Sequence, residues 1–379
     1  MKIAVINITA GGISGGYRKY LQHMIPLFSQ RTETEEILCI SPHAWGVENW
    51  FGNIEKVEFY SYKKFNMLKT SNKKITKYLD DFSPDVLLVP VERCFSYKNV
   101  PVVNMLQNME PLAYLNEGNP LFEKLRNLLR ARTAKKAMER ADKIIAVSRF
   151  VRSFLMQDLK ISESKIELIY YGMDDVSDCN VVKSRNIPIG WEEKFIFTAG
   201  SIRPARGLED LLQAMRRLGD GGGESLHLVI AGEVSPNMVA YQNKLKRWIE
   251  EKGLQDRVCW TGGLVEEEMR WCYNTCKIFV MTSRVESFGQ IALEALSQGA
   301  MCISTDSSCL PEIFGDAAIY YSPKDIDALV KAIQSVLRWG PQKQENVQKK
   351  AKVQAVQFSW DTCARKTVKL LDKILGDIK

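Results

Sequence analysis

The sequence predicts an α/β protein of two doubly wound, Rossmann-like domains facing across a cleft. Apolar runs of strand length alternate with amphipathic helical stretches, the signature of parallel sheets covered on both faces. That rhythm restarts after residue 190. The length of 379 residues exceeds what one hydrophobic core usually supports, and 45% apolar with 26% charged residues is ordinary for a globular chain.

The elements follow in order. "KIAVINI" is the first strand, and glycine-rich "TAGGISGG" leads from it into a helix bearing Tyr20, Leu21 and Met24. "EILCIS", "VEFYS", "DVLLVP", "PVVNMLQN", "DKIIAVS" and "IELIYYG" complete the first series of strands. The polar stretch 174–193 lacks periodicity and reads as the interdomain linker. "KFIFTAGS", "LHLVIAGE", "RVCWTGG", "KIFVMTS", "MCISTDS" and "AAIYYSP" form the second series, with "GDGGGE" at 219–224 a flexible connector. The last segment puts Val368, Leu371, Ile374 and Leu375 on one helical stripe, suited to packing back toward the first domain. The expected divisions are therefore 1–180, 181–358 and a terminal helix at 359–379. Two such domains place a cleft at the carboxyl ends of their strands, where open α/β sheets bind ligands.

Composition excludes several function classes. Nine cysteines occur without a C-x-x-C, Cys272 and Cys276 sit at helical spacing suited to packing, and a reducing, cytoplasmic compartment fits. Three histidines, with His227 inside a strand pattern, give a histidine-based metal site or a Ser-His-Asp triad no raw material. No metal and no cofactor is expected. "MKIAVINITAGG" suits a buried first strand better than a signal peptide, and no apolar run approaches the roughly 18 residues of a membrane span. The net charge of +7 is uneven: segment 124–143 alone holds eight basic and two acidic residues. With Leu121, Phe122, Leu125, Leu128 and Leu129 at helical spacing near its start, it reads either as a helix packed on the first sheet with a solvated basic face or as a contact for anionic lipid headgroups. It lacks the interleaved aromatics of a nucleic-acid surface.

Candidate site residues lie at three helix entrances. Gly11, Gly12, Gly15 and Gly16 follow the first strand, where glycine permits close approach of a ligand and helix amides favour an anion. A plain turn reads equally well. Ser201, Arg203 and Arg206 occupy the equivalent place in the second domain. Cations beside a helix N-terminus oppose the dipole preference, so they suit a diphosphate better than a stability role. The third entrance is "TSRVESFGQIALEA", whose amides at 287–290 should open another helix. Glu286 and Glu294 stand eight residues apart, about 12 Å along an ideal helix and near one face. Glu286 alone could serve the helix dipole, but Glu294 is surrounded by Ile291, Ala292, Leu293, Ala295 and Leu296 and calls for a dedicated partner.

These motifs in this order, from "ADKIIAVSRFVRSFL" and "IYYGMD" through "AGSIRPARGLEDLLQA", "VIAGE" and "VESFGQIALEALSQGA" to "CLPEIFGDAAIYYSPKD", resemble retaining glycosyltransferases of the GT-B fold, family 4. The resemblance covers essentially the whole chain and is densest over 192–330. It implies an acceptor-binding first domain, a nucleotide-sugar-binding second domain, and a donor linked to UDP or GDP. Glu294 would bind ribose hydroxyls and Glu286 hydroxyls of the transferred sugar. Ser287, Phe288, Gly289 and Gln290 would cradle sugar and diphosphate through backbone amides, with Leu264 near the nucleobase and Gly15 and Gly16 on the donor side. Arg206 and Arg203 would carry the diphosphate charge.

The sequence also departs from that family. Ser201 stands where a Gly-Arg pair often places its arginine, and Arg206 where a lysine often stands. Gln107 and Asn108 replace a His-Asp pair on the acceptor side, and amides bind hydroxyls but cannot act as a base. Asp325 and Asp327 form a D-x-D that reads as a helix cap rather than a metal site. The implied function is transfer of a sugar to a glycan or lipid-linked acceptor in surface polysaccharide or glycolipid synthesis, in the cytoplasm or at the inner face of its membrane. A catalytically silent GT-B scaffold and a hinged small-ligand binder are the alternatives.

Overall fold

The computed structural model describes residues 1–8, 14–63, 73–114, 117–174, 180–219 and 226–377. Gly11 and Gly12 lie outside the described residues, as do most of the 219–224 connector and 175–179 of the linker.

Each strand pattern read above is a strand. The first sheet comprises β1 (Lys2–Ile6), β2 (Glu36–Pro42), β3 (Val57–Tyr62), β4 (Val86–Val89), β5 (Val102–Leu106), β6 (Lys143–Ala146) and β7 (Ile166–Leu168). The second comprises β8 (Phe195–Ala199), β9 (His227–Ala231), β10 (Val258–Gly262), β11 (Ile278–Met281), β12 (Cys302–Thr305) and β13 (Ala318–Tyr321). All the pairings are parallel. The α-helices are α1 (Gly15–Ser29), α2 (Lys73–Phe82), α3 (Glu110–Ala113), α4 (Leu121–Arg140), α5 (Arg149–Gln157), α6 (Leu208–Gly219) and α7 (Val239–Glu251), followed by α8 (Glu266–Thr275), α9 (Gln290–Ser297), α10 (Leu310–Phe314), α11 (Ile326–Leu337), α12 (Pro341–Ala355) and α13 (Trp360–Gly376).

The sheet orders are β3-β2-β1-β4-β5-β6-β7 and β10-β9-β8-β11-β12-β13. Each reverses direction once, between β1 and β4 in the first and between β8 and β11 in the second. Loops leaving neighbouring strands at such a switch point diverge to opposite faces and open a crevice at the carboxyl edge. In the second sheet those two loops are the ones that carry Ser201 to Arg206 and Ser283 to Gly289.

The chain forms two contact units, neither contiguous: Met1–Met109 with Leu128–Gly172 and Phe358–Lys379, and Glu110–Asn127 with Met173–Gln357. In the first, α13 packs on α1. Trp360 at its start stacks on His23, with ring centroids 4.8 Å apart, and on Tyr171 at 5.8 Å. A β-carbon on Gly172 would lie 2.1 Å from the Trp360 nitrogen, so this junction requires glycine. Linker residues 180–193 belong to the second unit, where Asn186 donates to the Thr261 carbonyl at 2.9 Å and Trp191 stacks on His227 at 4.0 Å.

Helix α4 has one covered side and an exposed basic face, but the covered side is not the one its leucines mark. Leu121, Phe122, Leu125, Leu128 and Leu129 are between 53% and 80% exposed. The face turned inward carries Glu123, Asn127, Ala134, Ala137 and Met138 instead, all buried. At 100° per residue the two sets fall on opposite sides of the helix. Arg132, Lys135 and Lys136 continue the exposed side, so it is apolar over its first turns and cationic over the next.

Candidate functional site

Strand β8 ends in a tight crossing. Gly200 has φ +129°, a backbone region that other residues rarely adopt, and its pro-β-carbon position lies 3.2 Å from the Arg206 guanidinium and 3.3 Å from Ile291 in α9. The following turn, Pro204–Arg206, is a single 3-10 turn closed by Gly207, whose backbone is left-handed. Arg206 is thereby folded back over the strand end. A small cavity of about 10 Å³ beneath it is bounded by Gly200, Arg206, Thr282 and Ser283 at the ends of β8 and β11.

Arg206 meets the loop after β11. Its Nη1 donates to Glu286 Oε1 and, at 3.2 Å, to Ser283 Oγ, and the Ser283 hydroxyl donates to the same Glu286 oxygen at 2.9 Å. Glu286 is fixed from behind as well. Its N–H donates to Ser308 Oγ at 2.9 Å, and the Thr305 hydroxyl donates to the Ser283 carbonyl at 2.7 Å. Ser308 holds a left-handed backbone (φ 51°) to do so. Burial, and then the neighbouring Arg203 cation, pull the Arg206 guanidinium down to about 10, which leaves it charged at neutral pH. Arg203 in turn donates to Glu110 of α3, within the same unit. Ser201 is exposed beside them.

The loop enters α9 through Gly289, at φ +87° and ψ +52°, with no side chain capping the helix. The amides of Ala292 and Leu293 turn back onto the Gly289 carbonyl at 2.9 and 3.2 Å, so the helix entrance is built from backbone. Phe288 is 1% exposed and anchors the turn in the core, so what it offers a ligand is backbone. Glu294 one turn on accepts a hydrogen bond from the Tyr273 hydroxyl at 3.1 Å, the partner its apolar neighbourhood required. Phe197 and Phe279 pack edge-on around the Tyr273 ring at 5.2 and 5.4 Å. Burial, followed by the Glu294 charge, pushes the Tyr273 phenol well above its usual range and keeps it a donor. Leu264 is half-buried in the loop between β10 and α8.

One further pair stiffens these loops. Arg284 makes two hydrogen bonds to the buried Asp210 carboxylate, at 2.5 and 2.6 Å, and its N–H donates to the Ala205 carbonyl at 2.8 Å. The turn bearing Arg206 is thus tied to the loop bearing Glu286.

The first unit holds the remaining candidates. Gly15, exposed, and Gly16, half-buried, are the first residues of α1, capped by the Ser14 hydroxyl, which accepts from Tyr17 N at 3.3 Å, so they are helix rather than turn. Gln107 donates its side-chain amide to the Pro90 carbonyl at 2.5 Å, and Asn104 donates to the carbonyls of Val91 and Arg93 at 2.8 and 2.9 Å. Gln107 therefore holds the 90–93 loop in place. The backbone N–H groups of Gln107 and Asn108 hydrogen-bond the Glu92 carboxylate, although burial outweighs them and raises its pKa.

Asp325 and Asp327 form no common site: Asp325 caps α11 by accepting from Ala328 N at 2.9 Å, and Asp327 pairs with Arg217. Among the described residues no three His, Cys, Asp or Glu side chains cluster as metal ligands would. The sequence reading missed Glu110, Tyr273, Ser283 and Ser308. Each joins a partner distant in the chain, and none carries a local signal beyond its polarity.

Two family models match the chain: Glycosyltransferase Family 4 over residues 24–176 and Glycosyl transferases group 1 over residues 183–354. Among curated relatives, the serotype-specific mannosyltransferase WbdA of Escherichia coli is 25% identical over 243 residues, 62% of this chain. Mannosylfructose-phosphate synthase of Agrobacterium fabrum (strain C58 / ATCC 33970) is 28% identical over 199 residues, 50% of this chain. The matched regions span 29% and 43% of those relatives' own lengths. Among solved structures, Anabaena Alr3699/HepE in complex with UDP-glucose superposes with a TM-score of 0.73 at 17% identity, covering 98% of this chain and 100% of that one. WaaG, a glycosyltransferase involved in lipopolysaccharide biosynthesis, superposes with a TM-score of 0.70 at 12% identity, covering 98% and 99%. With one model matched in each series of strands and two doubly wound sheets in GT-B order, the chain belongs to the family 4, group 1 glycosyltransferases.

Proposed function

We propose that the chain is a retaining, metal-independent glycosyltransferase that moves a hexose-type sugar from a UDP- or GDP-linked donor to a glycan or lipid-linked acceptor. Its setting is surface polysaccharide or glycolipid synthesis, at the cytoplasmic face of an anionic membrane. The observation that carries this reading is the Arg206–Ser283–Glu286 cluster at the loop that enters α9 through Gly289.

The chemistry follows from that placement. As the bond between sugar and diphosphate breaks, negative charge grows on the leaving group. Fixed cations and amides stabilise that charge without reorganising, and they act more strongly on the transition state than on bound donor. Arg206, which shares the Gly200 turn with Ile291 of α9, supplies the fixed cation, and Arg203 adds to its field. Glu286, turned toward Arg206 and braced by Ser283, takes hydroxyls of the sugar. Glu294, held by Tyr273, accepts the two ribose hydroxyls, which satisfy a half-buried carboxylate. Retention follows the family pattern, with departure and attack on one face of the sugar. The neighbour solved with UDP-glucose and the relatives named as mannosyltransferases support a hexose donor.

Helix α4 supports the membrane setting. No helix among the described residues is long and apolar enough to cross a membrane. Five exposed apolar side chains in line with Arg132, Lys135 and Lys136 fit a helix lying in the headgroup region, with leucine and phenylalanine in the acyl boundary and cations on anionic lipid.

A thermal-shift panel of nucleotide sugars, followed by NMR of the product anomer, tests the reading. A donor at a hundredfold excess over its Kd raises stability by about 2.7 kcal/mol. Transfer with the donor's anomeric configuration supports the reading. A protein that binds a nucleotide sugar yet never turns it over, across a broad acceptor panel, is a silent scaffold instead.

A further inference from the structure

Both cations of the site already face carboxylates: Arg206 faces Glu286 and Arg203 faces Glu110. Glu110 opens α3 in the segment Glu110–Asn127, which packs with the second unit, and its side chain is 8% exposed. The four formal charges cancel. A diphosphate arriving at Arg203 and Arg206 would leave the cluster net negative, and like charges crowded away from water repel strongly.

One carboxylate must therefore give way, and the geometry distinguishes them. Glu286 is braced by the Ser283 hydroxyl, by its own N–H on Ser308, and by Cys309 Sγ against its carbonyl at 3.5 Å. Glu110 sits on a helix of four residues whose segment is tethered further on by side chains, Glu117 to Lys324 at 2.6 Å and Glu123 to Asn237 at 2.7 Å. Nor does Glu110 saturate its partner, since Arg203 Nε is buried with no acceptor among the described residues. Such a pair can be exchanged for an anion with more oxygens.

Resting on the donor reading above, we infer that Glu110 competes with the donor diphosphate for Arg203, and that the diphosphate displaces it. Glu110 thus acts through Arg203 and sets the affinity for diphosphate. Its release loosens 110–114 and 117–127, so the event that seats the donor also frees α3.

Isothermal titration of the full chain with inorganic pyrophosphate, UDP and GDP tests the exchange. Glu110→Gln removes the competing charge at constant shape and should tighten pyrophosphate and the preferred nucleoside diphosphate roughly tenfold. Glu110→Asp should stay near the parent, and adding Arg203→Gln to Glu110→Gln should abolish the gain. A damaged fold does not tighten a ligand, so the gain separates displacement from mere structural support. Equal or weaker pyrophosphate binding in Glu110→Gln overturns the inference. On the parent protein, saturating pyrophosphate should speed amide exchange across 110–114 and 117–127, and unchanged exchange there likewise overturns it. Tighter pyrophosphate with no nucleoside diphosphate binding overturns the donor reading and leaves the exchange standing. No pyrophosphate binding by any variant overturns both.

Discussion

The Glu286 carboxylate and the Arg206 guanidinium are bound to each other directly and again through Ser283, whose hydroxyl accepts from Arg206 at 3.2 Å and donates to Glu286 at 2.9 Å. Each residue fixes the other's orientation, yet their proposed partners differ. Glu286 is assigned to the sugar, Arg206 to the diphosphate. Glu286→Gln keeps the shape and should leave the Kd for the nucleoside diphosphate within a few-fold of the parent while turnover falls. A large loss of nucleoside diphosphate affinity in titration would move Glu286 off the sugar.

The second glutamate should behave in the opposite way. Glu294 is held by the Tyr273 hydroxyl at 3.1 Å. Glu294→Gln should weaken the nucleoside diphosphate itself, with or without a sugar attached. Tyr273→Phe removes one hydrogen bond to a charged group, worth about 1.5–3 kcal/mol, and should weaken the same ligand by a part of that. Unchanged affinity for every nucleoside diphosphate in Glu294→Gln would sink the ribose assignment.

How far the sequence revealed this arrangement depends on the range of the signal. Apolar runs of period one and amphipathic stretches of period 3.6 marked the thirteen strands among the described residues, because burial on two faces is written locally. Asp325 was legible as a cap for the same reason, its acceptor role completed by Ala328 three residues on. Helix α4 was legible as a helix but not as to which side is covered. Its leucines announce an apolar stripe, whereas the inward face is built from Ala134, Ala137, Met138 and two polar residues. Glu294's need for a partner could be read from its neighbours, but Tyr273 could not. Glu110 and Arg203 stand 93 residues apart and meet only through the fold.

The membrane face can be divided by salt. Arg130, Arg132, Lys135 and Lys136 changed to Gln should reduce sedimentation with anionic vesicles, since each cation near such a surface contributes about 1 kcal/mol, and high salt should mimic the change. Phe122, Leu125 and Leu129 changed to Ser should lower binding at both salt levels, because the exposed apolar area is lost regardless of screening. Equal binding of the parent protein to neutral and anionic vesicles would remove the electrostatic half of this account.

The Arg284–Asp210 pair makes a stability prediction. Asp210 is 2% exposed and also accepts from Lys324 N at 2.9 Å. Removing Arg284 leaves that carboxylate buried with its principal cation gone, so Arg284→Ala should cost about 3–5 kcal/mol in denaturant unfolding. A loss below 1 kcal/mol would mean that water reaches Asp210 freely.

The central claim is that Arg206 is the cation that stabilises the departing diphosphate, with Arg203 sharing the load from beside it. The direct test is single-turnover cleavage or transfer of the preferred nucleotide sugar by the parent, Arg206→Ala and Arg203→Ala, with donor Kd measured on the same preparations. The account predicts that Arg206→Ala lowers the rate by roughly 100-fold or more with a smaller change in Kd, as loss of one preorganised charge-stabilising donor does, and that Arg203→Ala follows with a smaller loss. Parent-like turnover in Arg206→Ala would contradict it.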